Sequence, residues 1–156
     1  MAIRKIEVIP LDISPKFRRK ISRGVLEPTR AGALVGKPIL VRIYNNEGVV
    51  GNGEVRTLQP FHGETTQSVV SAIRDFYAPL LIGEDPFNME KFWSKFDQVL
   101  PGNTNARAPI DYALHDLLGK MLHVPVYKLL GGLYWELVPL EWSIGLNSAE
   151  KMVEEA

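Results

Sequence analysis

The hydrophobic periodicity of this chain changes from strand-like to helical spacing near residue 65, and this change limits the possible folds more than any other feature. Up to about residue 55, apolar residues alternate with polar ones, which is typical of strands with one buried face. From Thr65 or Thr66 they recur at helical spacing as far as the double glycine Gly131-Gly132. Strands followed by helices predict an α+β domain in which an antiparallel sheet packs against helices.

Three strands are predicted in the first part of the chain. Residues 3–13 form the first strand, and residues 39–55 form a β-hairpin around the turn segment 45–48. Two segments interrupt this pattern. Residues 14–37 are a long polar loop with little regular signal, and residues 56–64 are a second irregular stretch. Long loops in a compact domain are usually functional or mobile, so both are candidates for a binding role.

Four helices are predicted before the double glycine. The first begins at Thr65 or Thr66, and Asp85-Pro86 supplies the cap and the first-turn proline of the second. A third helix has Pro109 near its first turns, and a short fourth one over residues 126–130 ends at the glycines. The apolar faces of the first three are Val69, Val70, Ile73, Phe76, Tyr77 and Leu80; Phe92, Trp93, Phe96 and Val99; and Ile110, Ala113, Leu114, Leu117, Leu118 and Met121.

The pattern changes again after the double glycine. Residues 138–144 alternate like a strand, residues 145–147 form a short loop, and Ser148 caps a helix that is still running at Ala156. A single βα unit cannot bury both of its faces. We therefore expect one domain over residues 1–132, and over residues 133–156 a linker with the first βα unit of a second domain that is otherwise absent.

Composition excludes several classes of protein. The chain has 156 residues with 18 basic and 18 acidic side chains, so its formal net charge is zero. It has no cysteine, which excludes a disulfide framework, a thiolate zinc site and a cysteine nucleophile. No apolar run approaches the roughly 18 residues of a membrane span, and the N-terminus is too charged for a signal peptide. We expect a cytoplasmic protein.

Two sequence segments identify a family. The first is Gly51-Asn52-Gly53-Glu54 at the end of the hairpin. The second is Ala108-Pro109-Ile110-Asp111-Tyr112-Ala113-Leu114-His115-Asp116-Leu117-Leu118-Gly119-Lys120, which continues as Val124-Pro125-Val126-Tyr127-Lys128-Leu129-Leu130-Gly131-Gly132. In their order and spacing they resemble the mandelate racemase and muconate-lactonizing enzymes of the enolase superfamily. The segment Gly102-Asn103-Thr104 favours the muconate-lactonizing subgroup.

The resemblance implies an N-terminal α+β capping domain followed by a TIM-type barrel that carries the chemistry. A barrel takes about 250 residues, and this chain has too few residues after 132 to contain one. The family's three Mg²⁺-binding carboxylates and its two acid/base lysines would therefore lie beyond Ala156. We assign no metal ligand and no catalytic residue within this chain, and we expect the rest of the barrel to be its partner domain.

The same resemblance implies a reaction class. Mg²⁺ holds the carboxylate of a small-molecule substrate and stabilises the enediolate formed when a base removes the α-proton. Muconate cycloisomerases, racemases, epimerases and dehydratases of acids share this intermediate, and we favour a muconate cycloisomerase-like isomerase. The intact enzyme is expected to be a homo-oligomer that binds neither nucleic acid nor membrane.

The resemblance also proposes substrate-binding residues. A first specificity loop would contain Phe17, Arg18, Arg19, Lys20, Ile21 and Arg23, a second would contain Leu58, Phe61 and His62, and Ser143 would face the barrel interior. For each, a plainer interpretation stays open. The basic residues are also typical of a solvated loop, Leu58 and Phe61 could plug a domain interface, and His62 could be a lone surface histidine. Ser143 could be a buried hydroxyl bonded to the backbone, beside Glu141 in a buried ion pair.

Two rival functions are weighed against the enzyme. The chain could be a free-standing α+β binding module without chemistry of its own. It could also bind nucleic acid through the basic segment 16–23, but a neutral chain with few aromatic residues near that segment argues against this. His115, four residues after Asp111, is explained by an ordinary side-chain pair on one helix.

Overall fold

The computed structural model describes residues 1–13, 19–21, 24–26, 36–141 and 143–156, with the backbone alone for 19–21 and 24–26. A three-stranded antiparallel sheet contains β1 (Ile3–Pro10), β4 (Pro38–Asn45) and β5 (Val50–Arg56), with β4 in the middle. This confirms the predicted sheet. Between β1 and β4, β2 (Arg19–Ile21) pairs with β3 (Gly24–Leu26) in a separate two-stranded sheet, where the sequence predicted little regular structure.

The helices follow the sheet, as predicted. They are α1 (Gln59–His62), α2 (Thr66–Ser71), a π-helical segment (Ala72–Tyr77) that leads directly into α3 (Ala78–Leu81), α4 (Met89–Val99), α5 (Thr104–Leu122), α6 (Val126–Leu129) and α7 (Ala149–Glu155). Helix α1 lies in the stretch 56–64 that was predicted to be irregular. Gly131 and Gly132 have φ of 102° and 110° after α6, as expected of a glycine stop.

The first long helix begins at the predicted cap but is not regular. Thr65 and Ser68 form a capping box at the start of α2. The π-helical segment follows, and Pro79 at the start of α3 lacks the N–H that an α-helical bond would require. Because a π turn holds more residues than an α turn, the buried face of this helical run shifts around the helix axis. Phe76, predicted on the apolar face, is 41% exposed, whereas Tyr77 is fully buried.

The second predicted helix begins later than expected. Asp85 does not cap it: its side chain accepts a hydrogen bond from the Phe87 N–H, and its carbonyl accepts one from the Asn88 N–H. An aspartate that bonds the backbone two residues ahead forms a turn, and the Asp-Pro pair initiates this turn instead of a helix. Helix α4 therefore begins at Met89. Val99, predicted on its apolar face, is exposed in the last turn.

The core lies between the sheet and α5. Ile39, Val41 and Ile43 of β4 are fully buried, as are Ile110, Leu114 and Leu117 of α5. Strand β5 approaches α5 without side chains between them, because a Cβ at Gly51 or Gly53 would lie 2.0 Å from the carbonyl oxygen of Ala113 or Pro109. The first glycine-containing motif of the sequence therefore exists for backbone-to-backbone packing.

No strand forms over the described part of the segment that was predicted to be a strand, residues 138–141 and 143–144, and Glu141 and Ser143 are exposed instead of buried. A strand requires a neighbour for its N–H and C=O groups, and no described strand lies beside this segment. Helix α7 follows Ser148 as predicted and ends at Glu155. No helix among the described residues is long and apolar enough to cross a membrane.

Candidate functional site

The two candidate loops leave the sheet at one place, which we call the loop base and define as Ile13, Gly36, Arg56 and Thr57. The Gly36 N–H donates to the Thr57 carbonyl at 2.8 Å. The Arg56 guanidinium donates through Nε to the Gly36 carbonyl and through Nη2 to the Ile13 carbonyl, both at 3.2 Å. The residues on either side of the 14–35 segment, Ile13 and Gly36, therefore both lie beside the start of the segment 57–64.

Gly36 makes this close approach because it has no side chain. A Cβ there would lie 2.0 Å from Thr57 Oγ1 and 2.6 Å from Thr66 Oγ1. Thr66 Oγ1 also accepts a hydrogen bond from the Lys37 N–H at 2.9 Å, so the start of α2 contacts the loop base. Thr57 is fully buried, and within the described part of the chain its hydroxyl has no hydrogen-bond partner.

The segment 57–64 holds three of the predicted site residues on one helical turn. Leu58 immediately precedes α1 and is half-buried, whereas Phe61 and His62 lie within α1 and are exposed. Gly63 ends the turn with φ of 71°. The structure therefore brings Leu58, Phe61 and His62 together beside the loop base.

Glu64 fixes the far end of this segment. Its Oε1 accepts a hydrogen bond from the Asn105 N–H at 3.0 Å and one from the Thr104 hydroxyl at 3.4 Å, both in the first turn of α5. A carboxylate is favourable at a helix N-terminus, where N–H groups lack helical partners. Gly36, Arg56 and Glu64 were not identified from the sequence, since no local pattern shows which distant carbonyl or N–H each one meets.

The predicted site residues of the first candidate loop divide into two groups. Arg19, Lys20 and Ile21 form β2, where they pair with Leu26, Val25 and Gly24, respectively. Their side chains lie outside what the structure describes, as do Phe17, Arg18 and Arg23 entirely. Ser143 is exposed in the irregular C-terminal segment.

The second motif of the sequence covers the free edge of the sheet. Asp116 Oδ2 accepts hydrogen bonds from the Asn52 N–H at 2.8 Å and from Lys120 Nζ at 2.6 Å, and Lys120 Nζ also donates to the Val50 carbonyl at 2.8 Å. Burial raises the pKa of Asp116, but the bonds from Lys120 and Asn52 outweigh it and hold the pKa below the usual value. This Asp-x-x-Gly-Lys motif therefore stabilises the fold.

The remaining histidines do not form a metal centre. His115 Nδ1 lies 3.5 Å from Asp111 Oδ1, which confirms the predicted pair on one helix. His123 ends α5 with φ of 55°. Among the described residues, no three His, Cys, Asp or Glu side chains are placed to hold a metal ion together.

Comparison with known proteins gives the family. The family model described as "Mandelate racemase / muconate lactonizing enzyme, N-terminal domain" matches residues 30–131. The N-succinyl-L-Arg/Lys racemase of Bacillus cereus is 36% identical over 118 residues, which are 76% of this chain and 32% of the relative.

Two solved structures are similar over 99% of this chain. One is the dipeptide epimerase of Enterococcus faecalis, complexed with Mg and the dipeptide L-Leu-L-Tyr. It superimposes with a TM-score of 0.88 at 30% identity, and this chain covers 41% of its length. The other is the muconate lactonizing enzyme of Pseudomonas fluorescens, complexed with muconolactone. It superimposes with a TM-score of 0.88 at 31% identity, and this chain covers 40% of its length.

The chain thus spans between 32% and 41% of the length of these relatives. The sheet followed by helices, the match over residues 30–131 and the identity to the racemase all agree. The chain belongs to the mandelate racemase/muconate lactonizing enzyme family of the enolase superfamily, whose members include racemases, epimerases and cycloisomerases, and it contains the family's N-terminal capping domain.

Proposed function

We propose that this chain is the capping part of a Mg²⁺-dependent isomerase that converts a small carboxylic acid through an enediolate. The capping part supplies the surface that selects the substrate. The observation that carries this proposal is the 2.8 Å hydrogen bond from the Gly36 N–H to the Thr57 carbonyl, which joins the bases of the two candidate loops. Residues far apart in the sequence can then contact one ligand, as substrate-binding loops on a rigid scaffold do.

In this proposal, residues outside this chain bind the Mg²⁺. The described residues of this chain offer no cluster of carboxylates that fits Mg²⁺. The dipeptide epimerase of Enterococcus faecalis carries Mg together with a dipeptide. We place the metal ligands and the acid/base residues in a barrel domain outside this chain, and we place residues 133–156 at the start of that barrel.

We favour a muconate cycloisomerase-like reaction. Gly102-Asn103-Thr104 supports it, and so does the basic segment 16–23, since a muconate is a diacid whose second carboxylate needs a cation. The alternative within the same chemistry is epimerisation of a dipeptide or an N-acylated amino acid. The names of the Bacillus cereus and Enterococcus faecalis relatives favour that alternative.

One experiment separates these candidates. The longer protein that carries this chain is incubated with Mg²⁺ in D₂O, once with cis,cis-muconate and once with L-Leu-L-Tyr, and followed by NMR. Formation of a lactone supports the cycloisomerase. Exchange of the dipeptide α-proton without lactone formation supports the epimerase. If both acids stay unchanged while the protein binds them, the chain is part of a binding module and the proposal is wrong.

The basic segment gives a second test of the cycloisomerase. One of Arg18, Arg19, Lys20 and Arg23 is expected to bind the second carboxylate of a diacid, and an arginine is favoured because its planar guanidinium donates two parallel hydrogen bonds. Replacing that residue by Met is expected to lower kcat/KM for the diacid by roughly 10- to 150-fold, with little effect on a monoacid of similar shape. If kcat/KM falls by the same small factor for both acids in all four variants, the basic segment is only a solvated loop and does not bind the second carboxylate.

A further inference from the structure

We infer that Arg56 is a positioning residue that fixes the loop base, where the two candidate segments leave the sheet, and that it thereby sets substrate affinity. This inference rests on the proposed function. Arg56 is the last residue of β5 and pairs with Pro38, the first residue of β4. Its backbone therefore belongs to the sheet, while its side chain reaches the backbone on both sides of the 14–35 segment.

The geometry suits a guanidinium. Nε and Nη2 donate to the carbonyls of Gly36 and Ile13, both at 3.2 Å, and the side chain is half-buried. The N–H groups of arginine lie in one plane with fixed directions, so these two bonds fix the distance between residues that are 23 positions apart in the sequence. A lysine ammonium is a single point charge on a flexible stem and does not fix two carbonyls in one plane.

Other contacts at this place do not replace Arg56. The Gly36–Thr57 bond joins the two segments but does not reach Ile13. The Leu11 N–H donates to the Pro38 carbonyl at 2.8 Å, but this bond lies two residues short of both Ile13 and Gly36. The ion pair between Lys37 and Asp12 lies at 3.1 Å, but the Asp12 side chain is 85% exposed, and exposed pairs contribute little. Among the described residues, Arg56 is the side chain that donates hydrogen bonds to both sides of the 14–35 segment.

Loss of Arg56 is expected to affect substrate binding more than the chemical step. A small misplacement of substrate-contacting groups costs affinity and alignment, and in the proposed enzyme the reacting groups lie in the barrel. Loss of Arg56 is therefore expected to raise KM much more than it lowers kcat. Gly36 and Thr57 would move with the loosened segments, so their amide hydrogens are expected to exchange faster.

The test uses the longer protein that carries this chain, with the variants Arg56→Met and Arg56→Lys. The matched control is Arg74→Met, because Arg74 also donates to a backbone carbonyl, that of Val8, at 2.7 Å and away from the loop base. Both Arg56 variants are expected to raise KM roughly tenfold, with kcat within about twofold. Faster amide exchange is expected in peptides over 11–13, 36–37 and 57–64, with α5 unchanged. The control is expected to change none of these.

The amide exchange rates and the KM values can each contradict the role of Arg56. If exchange in these peptides is unchanged in both Arg56 variants, Arg56 does not fix the loop base and the inference is wrong. If exchange rises while KM stays constant, the arrangement does not govern affinity, and the inference is again wrong. If the wild-type protein converts neither acid, the proposed function fails, and the exchange data still decide whether Arg56 anchors the segments. Should Arg56→Met fail to fold, Arg56→Lys provides the same readouts.

Discussion

Asp116 shows how much of the family motif is structural. Strand β5 is an edge of the sheet, and an exposed edge leaves N–H and C=O groups without partners. Asp116 and Lys120, one helical turn apart on α5, bond the Asn52 N–H and the Val50 carbonyl on that edge. The i to i+4 spacing of the motif places both side chains over the same strand.

Replacing Asp116 is therefore expected to reduce stability. Asp116→Ala leaves the Asn52 N–H and the Lys120 ammonium without their carboxylate partner, and we expect the free energy of unfolding at pH 7 to fall by about 1.5–3 kcal/mol. Chemical denaturation followed by circular dichroism measures this. The control is Asp75→Ala at an exposed position on the π-helical segment. Equal losses in the two variants would contradict the role of Asp116.

The same residue gives a pH dependence with a defined sign. The folded-state pKa of Asp116 lies below its unfolded value. A lowered carboxyl pKa stabilises the fold fully above the unfolded value near 3.9, and this contribution is lost as pH falls through the folded-state pKa. We expect the stability difference between wild type and Asp116→Asn to shrink as pH falls below about 4. A difference that is constant between pH 7 and pH 3 would contradict this.

At the scale of elements, the contact of β5 with α5 organises the domain. Gly51 and Gly53 face α5, while Asn52 and Glu54 between and after them are exposed. The two glycines let the helix backbone lie directly on the strand, because a Cβ at either position would lie 2.0 Å from a helix carbonyl oxygen. This single approach fixes the distance between the sheet and the helix that carries the buried side chains of Ile110, Leu114 and Leu117.

A methyl group at this contact is expected to be costly. Gly53→Ala forces the strand and helix apart, since the obstructing atom is the Pro109 backbone oxygen and not a movable side chain. Overpacking of this kind costs about 1–3 kcal/mol, whereas Glu54→Ala on the exposed face of β5 is expected to stay within about 0.5 kcal/mol. Thermal unfolding of both variants compares the two. A Gly53→Ala protein as stable as the wild type would show that the contact is loose.

For the whole molecule, the described residues after Gly132 differ from those before it. Tyr134, Leu137 and Leu140 are 89%, 81% and 98% exposed, respectively. Exposed apolar side chains grouped this closely mark an interaction surface. We propose that residues 1–132 fold as one unit and that residues 133–156 depend on a barrel for their structure.

This proposal predicts where protection from hydrogen exchange is lost. In the chain of residues 1–156, amides of residues 133–147 are expected to exchange far faster than those around Leu114, which is fully buried in α5. Deleting residues 133–156 is expected to leave the unfolding temperature nearly unchanged. A large drop in that temperature, or equal protection in both regions of a monomer, would contradict the proposed boundary.

Local patterns determined a large part of this structure. The alternation around Val41, the helix start at Thr65 or Thr66 and the helical spacing from Ile110 to Leu117 each depend on residues that are near in sequence, and each was predicted correctly. The family motifs then gave the capping domain. These features need only strand or helix periodicity and a capping side chain, which the sequence itself contains.

The remaining features depend on contacts between residues that are far apart in the sequence. The hydrogen bonds from Arg56 to Ile13 and Gly36 join residues 43 and 20 positions away, and no periodicity specifies such a pair. Residues 138–144 have the alternation of a strand, yet none forms over their described part, because a strand is completed by hydrogen bonds to a neighbour. A side chain's role at a distance depends on which backbone the fold brings to it, and that is a property of the packed chain.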